Sequence, residues 1–328
     1  MKTNLNIRIQ WLAVLVGLLL LGVKFVAYFW TNSNAILTDA LESIVNVLAG
    51  VFTLASLYFA ARPKDRNHPY GHGKIEFLSA AFEGGLIVLA GVSMMVKAAY
   101  NLFNPIEIKG LDIGIGLIAV AGLVNYGMGW LLIRQGEQGN SLALKAGGQH
   151  LQSDAYSTVG LLVGLALMYF TQVYWLDHLM AIVFGGIIGA TGFQILRKAL
   201  AGIMDEYDKD LLQSLVKFLN KNRKDNWIDV HNLRIIQYGE AIHIDCHLTL
   251  PWYFDLRMVH DEVEAFEDLV RSDTPRSVEL FVHTDPCESP AACGICSKQD
   301  CKVRQMEFQQ RVDWTLDNVL ENRRHGVD

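Results

Sequence analysis

His150 and Asp154 stand four residues apart in GGQHLQSDAYSTVG, inside an otherwise apolar stretch. An α-helix turns about 100° per residue, so the imidazole and the carboxylate share one face. Such a pair can grip a cation, or it can fix the packing of two helices. A second polar stripe, Asp39, Glu42 and Asn46 in ILTDALESIVNVLAG, also falls on one helical face. An ionisable residue within a membrane span costs on the order of 2.5–3.5 kcal/mol and faces the interior of the bundle. Several such groups make a poor packing device. Convergence on a divalent cation accounts for them together. Glu83 lies apart from both stripes, alone in its own apolar segment.

Three further groups have metal-ligand chemistry. KDRNHPYGHGK places Asp65, His68 and His72 within eight residues, at spacings of three and four. Two imidazoles and a carboxylate so spaced can close on zinc, although a solvated loop is the plainer alternative. Downstream, His231, His247, His260 and His283, with Asp285, exceed what a core of satisfied histidines needs. Finally, Cys287, Cys293, Cys296 and Cys301 contain one Cys-x-x-Cys, half of a zinc knuckle. Their spacing does not match a ferredoxin. In a cytoplasmic tail disulfides are disfavoured, so a four-cysteine zinc site is the expectation and free or redox-active thiols the alternative.

The elements that must position these residues divide the chain in two. The 328 residues are 51% hydrophobic and 19% charged, and long uncharged runs dominate before residue 204. Six segments of spanning length can be drawn, about 9–30, 35–60, 77–102, 111–133, 148–171 and 178–198. The first is too long for a cleavable leader and lacks a small-residue cleavage site. Arg62, Lys64, Arg66, Lys74, Arg134, Lys145, Arg197 and Lys198 all fall on one side of these segments. The positive-inside rule then places both termini in the cytoplasm.

After residue 204 the pattern changes. DKDLLQSLVKFLNKN and DLRMVHDEVEAFEDLVRS read as amphipathic helices; VHNLRIIQYG, EAIHIDCHLTL and SVELFVHTDP read as strands. The order αββαβ predicts two helices on one face of a three-stranded sheet. A last polar helix is expected over about 299–323. Net charge is −6, a sign that excludes nucleic acid as a partner and suits cations.

Taken together, SNAILTDALES, HPYGHGKIE, His150-x-x-x-Asp154 and the series VHNLR…CHLTL…VHDEVE…VHTDP resemble the cation diffusion facilitator family, over about residues 8–286. The resemblance implies a membrane α-helical domain of six transmembrane helices, 1–204, and a cytoplasmic α+β domain of metallochaperone type, 205–286. The cysteine-rich tail and terminal helix, 287–328, lie beyond it. It implies a transport site of Glu42, Asn46, His150 and Asp154, a loop site of Asp65, His68 and His72, and a binuclear cytoplasmic site near a dimer interface. That last site would draw on His231, His247, His260, His283 and Asp285.

The sequence departs from the family pattern at Glu42, usually Asp or His, and at Asn46, usually Asp. Asp39, one turn earlier, is placed to supply the missing carboxylate.

The expected function is a homodimeric secondary transporter in the cytoplasmic (inner) membrane, in contact with lipid, exporting a divalent transition metal in exchange for protons. Zinc is the leading ion. An oxygen-rich site with one imidazole also suits Mn2+ or Fe2+, and Co2+ and Cd2+ remain alternatives. A membrane-tethered metal sensor without transport leaves Glu42, His150 and Asp154 unexplained. An enzyme is not expected, because the spans contain neither His-Glu-x-x-His nor a third imidazole.

Overall fold

The computed structural model describes residues 2–31, 34–103, 112–171, 175–239, 241–274 and 276–326. Asp39 and Glu42 fall on a helix within this range, but their side chains lie outside the described ones. The chain forms two compact units, residues 1–203 and 204–328.

The first unit is built from six long helices: α1 (Lys2–Thr31), α2 (Asn34–Ala60), α3 (Ile75–Phe103), α4 (Asp112–Gln138), α5 (Leu142–Thr171) and α6 (Trp175–Ile203). None of the seven prolines falls inside them, so no backbone hydrogen bond is forfeited along their length. Each has 27 to 30 residues. At 1.5 Å per residue that is about 40–45 Å, more than a bilayer's apolar thickness of roughly 30 Å. Among the described residues four stretches are long and apolar enough to cross a membrane: Leu5–Val26, Ser43–Ala60, Ile75–Leu102 and His178–Ile203.

One boundary differs from the expectation. The fourth and fifth segments were expected to be separated by a loop over about 134–147, yet α4 continues to Gln138 and α5 begins at Leu142. Polar contacts hold these extra turns: Gln135 donates to Asn6 Oδ1 at 3.0 Å, and Lys145 pairs with Glu137 at 2.8 Å. Asn140, in the left-handed region at φ 51°, makes the reversal between them.

α3 and α6 pack backbone to backbone. A Cβ at Gly91 would stand 2.6 Å from the Gly185 carbonyl oxygen and the Gly189 nitrogen; one at Gly192 would stand 2.7 Å from the Val88 nitrogen. Only hydrogen fits at those positions, which is how small residues let apolar helices approach closely.

The second unit holds α7 (Lys209–Lys221), β1 (Asp229–Tyr238), β2 (Ala241–Leu250), α8 (Leu256–Asp273) and β3 (Ser277–Pro286). Asp208 and Asp255 cap the two helices by accepting from backbone N–H groups of their first turns. The sheet runs β1-β2-β3, with β1 antiparallel and β3 parallel to β2. Leu212, Leu215, Val216 and Leu219 of α7 and Phe266 and Val270 of α8 are buried with Ile242, Ile244, Cys246 and Leu248 of β2. The intervening positions of β2, including His243 and His247, therefore lie on the opposite sheet face.

The terminal helix expected over about 299–323 does not form. Among its described residues the tail has two short helical pieces, α9 (Ala291–Ile295) and α10 (Leu316–Val319), joined by irregular chain. The segment's apolar residues Trp314, Leu316, Val319 and Leu320 pack on the core of this unit from α10 and its approach. Its backbone carbonyls instead meet arginines. Arg223 donates from Nη1 to Val312 O at 2.8 Å and lies over the Trp314 ring, itself buried in the core.

Candidate metal centres

In the first unit the polar groups of five helices meet at one cavity, lined by Lys24, Ser43, Asn46, Glu83, Asn125 and His150 among others. Asn46 of α2 donates from Nδ2 to Asp154 Oδ2 at 2.6 Å, and its Oδ1 lies 2.9 Å from His150 Nε2. One amide thus bridges both members of the α5 pair. The sequence spacing and the structure agree on this juxtaposition of α2 with α5.

Glu83, which looked solitary in the sequence, belongs to the same cluster. Its Oε2 lies 3.6 Å from His150 Nδ1, and its Oε1 accepts from Thr53 at 3.0 Å. Thr53 in turn contacts Ser79 at 3.2 Å. Lys24 was also missed: its ammonium is buried and donates to Ser43 at 2.7 Å. A single lysine inside an apolar run was the available signal. For Asp39 and Glu42 the backbone helix is described and the side chains are not, so their share in the cavity stays an expectation from the sequence.

The loop between α2 and α3 brings Asp65, His68 and His72 together, with one donor atom from each within 4.8 Å of the others. His68 Nδ1 lies 3.1 Å from Asp65 Oδ1, and His72 Nε2 lies 3.3 Å from Asp65 Oδ2. Asp65 also accepts from the backbone N–H groups of His68 and Asn67. These bonds, the one from His68 first, hold its carboxyl below the ordinary range. The loop is therefore pre-formed around an ionised carboxylate with two imidazoles facing it, the chemistry zinc prefers.

In the second unit, strand register assembles the site. His231 of β1 pairs with His247 of β2, and His247 pairs with His283 of β3. Residues opposite one another point to the same face, so three imidazoles stand in a row across the sheet. Asp285, two residues after His283, points the same way. Its Oδ2 lies 3.0 Å from His247 Nδ1 and 3.4 Å from His231 Nε2. His231, His247 and Asp285 form the second group whose donor atoms all lie within 4.8 Å.

His283 Nε2 lies 3.6 Å from Asp285 Oδ1 at the exposed rim. His260 is exposed on α8 and is not part of that group.

Two tail residues that the sequence reading passed over complete these surroundings. Arg324 donates to Asp285 Oδ1 at 3.2 Å and pairs with Glu288 at 2.5 Å. His325 bonds Asp229 through its ring and its backbone N–H. Burial pushes the Asp285 carboxyl up, but the hydrogen bond from His247 and the charge of Arg324 outweigh it and hold the group low. Asp229 behaves alike, with His231 and His325 overcoming its burial.

The four tail cysteines line a second, smaller cavity and none is in a disulfide.

Known proteins are similar to this chain over both units. The family model described as the cation efflux transmembrane domain matches residues 10–204, and that described as the cation efflux protein cytoplasmic domain matches residues 208–287. An uncharacterized transporter of Synechocystis, sll1263, is 32% identical over 85% of this chain and 90% of its own length. The cation-efflux pump FieF of Shewanella oneidensis is 26% identical over 84% of this chain and 92% of its own. Metal tolerance protein C1 of Arabidopsis thaliana is 26% identical over 83% of this chain and 60% of its own. With both family domains matched in order and the polar cluster lodged among apolar helices, the chain belongs to the cation diffusion facilitator family of cation-efflux transporters, integral membrane proteins and not enzymes.

Proposed function

We propose that the chain is a homodimeric exporter of divalent transition metal, zinc first, driven by protons moving inward across the cytoplasmic membrane. The observation that carries this reading is the meeting of Asn46, His150 and Glu83 at one cavity among the long helices, with Asp154 hydrogen-bonded to Asn46. A metal ligand must present a lone pair, so loading the site expels protons from imidazole and carboxyl groups. The Asn46–Asp154 hydrogen bond marks where an ion would enter: cation binding replaces the amide N–H as Asp154's partner. Glu83, facing the other imidazole nitrogen, is placed to take up the proton that His150 releases. Binding, loss of protons, exposure to the far side and reprotonation then give exchange by alternating access.

An Fe2+- or Mn2+-preferring transporter is the second reading, favoured by an amide and one imidazole at the cavity where more nitrogen or sulfur would favour zinc. On the cytoplasmic side we assign His231, His247 and Asp285 to a regulatory or stabilising ion, with His283 and His260 available to a second ion at the interface of two subunits. Asp65, His68 and His72 provide a separate ion site on the loop.

Proteoliposome uptake of Zn2+, Fe2+, Mn2+, Co2+ and Cd2+ against an imposed pH gradient tests the reading. His150→Ala and Asp154→Ala each remove one of about four ligands and should abolish flux in folded protein. Wild-type flux in both variants, or flux indifferent to the pH gradient, would overturn it.

A further inference from the structure

From the last residue of the family match, Cys287, the tail runs CESPAACGICSKQDC, and the structure folds it into a pocket of sulfur. Cys287 continues β3, donating its N–H to Leu250 O at 2.9 Å. Cys293 lies in α9, Cys296 ends that helix, and Cys301 follows the next turn. All four line one cavity. Cys293 and Cys296 are buried, at 7% and 6% exposure.

Buried thiols are often mere small apolar side chains. Cys246, the fifth cysteine, is one: it sits in the sheet core, where burial pushes its thiol up to about 12. The quartet differs because its four thiols share one cavity and include a Cys-x-x-Cys pair. Burial pushes the Cys287 and Cys296 thiols up, whereas Cys293 is held low against its burial by hydrogen bonds and the charge of Arg304. The Ser289 hydroxyl stands 3.5 Å from Cys293.

The chain turns at Cys296, where α9 ends. Arg304 braces that turn from behind. It donates to the carbonyls of Cys293 and Cys296 at 2.9 Å each and of Lys298 at 2.8 Å, and sets a positive charge beside the quartet.

We propose that Cys287, Cys293, Cys296 and Cys301 hold one thiophilic divalent ion, zinc, as a structural four-thiolate site that staples the tail to the metal-binding domain. Tetrahedral coordination at about 2.3 Å sets neighbouring sulfurs roughly 3.8 Å apart. No three of the four now lie within 4.8 Å of one another, so binding draws the quartet inward by rotation about the Cα–Cβ bonds. Four thiols become four thiolates, and their protons leave to solvent. The staple is independent of transport, since none of its ligands belongs to the unit that holds the cavity at His150.

The test uses the full-length protein, purified in detergent under reducing conditions. Cobalt titrated into it should produce the near-ultraviolet sulfur-to-cobalt charge-transfer band, complete at one equivalent and displaced by zinc. Imidazole and carboxylate sites give no such band. Replacing Cys293 and Cys296 with serine should remove it. Alkylation of the four tail thiols in the wild-type chain needs no variant. With zinc at about 100 times Kd their modification should slow roughly 100-fold. A wild-type chain without the band, thiols alkylated equally fast with and without zinc, or an iron chromophore on these cysteines would each overturn the proposal. Loss of vesicle flux with the band intact would strike the transport reading and leave this one standing.

Discussion

Arg324 already sits where a cytoplasmic metal ion would make its strongest contact. Its guanidinium donates to Asp285, the carboxylate shared by His231 and His247. A divalent ion using Asp285 must displace that cation or bind beside it, and either costs affinity. Two unit charges about 4 Å apart attract by about 4 kcal/mol at an effective dielectric of 20. The Arg324 side chain, however, is 31% exposed, and its other nitrogen pairs with Glu288. Solvent and the second partner reduce the competition to about 1 kcal/mol.

Arg324→Ala should therefore tighten zinc at this site about fivefold, since 1.4 kcal/mol is a factor of ten. The measurement is calorimetric titration of residues 204–328, a unit with its own core. The gain should shrink as salt is added, because the competing pair is partly exposed. Arg323→Ala, which removes a cation paired with Glu321 instead, is the control and should change nothing. Unchanged or weaker zinc binding by Arg324→Ala would mean that the arginine braces the site and does not compete for it.

Four other substitutions probe the remaining elements. Asn46→Asp replaces a neutral amide beside Asp154 with a carboxylate; binding of divalent ions measured at graded pH should tighten and begin at lower pH, while Asp39→Asn should cripple flux only if Asp39 is the missing ligand. His247→Ala should remove most of the zinc-dependent rise in melting temperature of the cytoplasmic unit, with a smaller loss of flux than at His150; an undiminished rise would dismiss the site. Gly91→Leu forces a side chain into the Gly185 carbonyl, at a cost of about 1–3 kcal/mol or more, and should lower the detergent-extracted protein's melting temperature.

What could be read from the sequence was whatever repeats locally. Alternation of apolar and polar residues located all three strands to within a residue or two, and hydrophobic periodicity found α7 and α8. The i, i+4 spacing of His150 and Asp154 put both toward α2 as expected. Three things were not readable. Glu83 joins the cavity because of how α3 packs, a long-range fact with no local signature. The tail's helix gave way to irregular chain whose Val312 and Met306 carbonyls take Arg223 and Arg304 as partners, long-range contacts with no local signature. Arg324 and His325 reach the strand site only because that tail doubles back.

The glycine seam between α3 and α6 bears on how the cavity could open. With backbones this close, neither helix can slide or roll past the other without collision, so any rearrangement carries the two as one stiff strut. Glu83 rides on that strut, while Asn46, His150 and Asp154 ride on α2 and α5. A tilt of the strut therefore changes the 3.6 Å gap between Glu83 and His150 without disturbing the amide bridge from Asn46 to Asp154. On the proposed reading, ion ligation and proton custody would thus fall to separate elements, and one mechanical displacement would time the exchange between them.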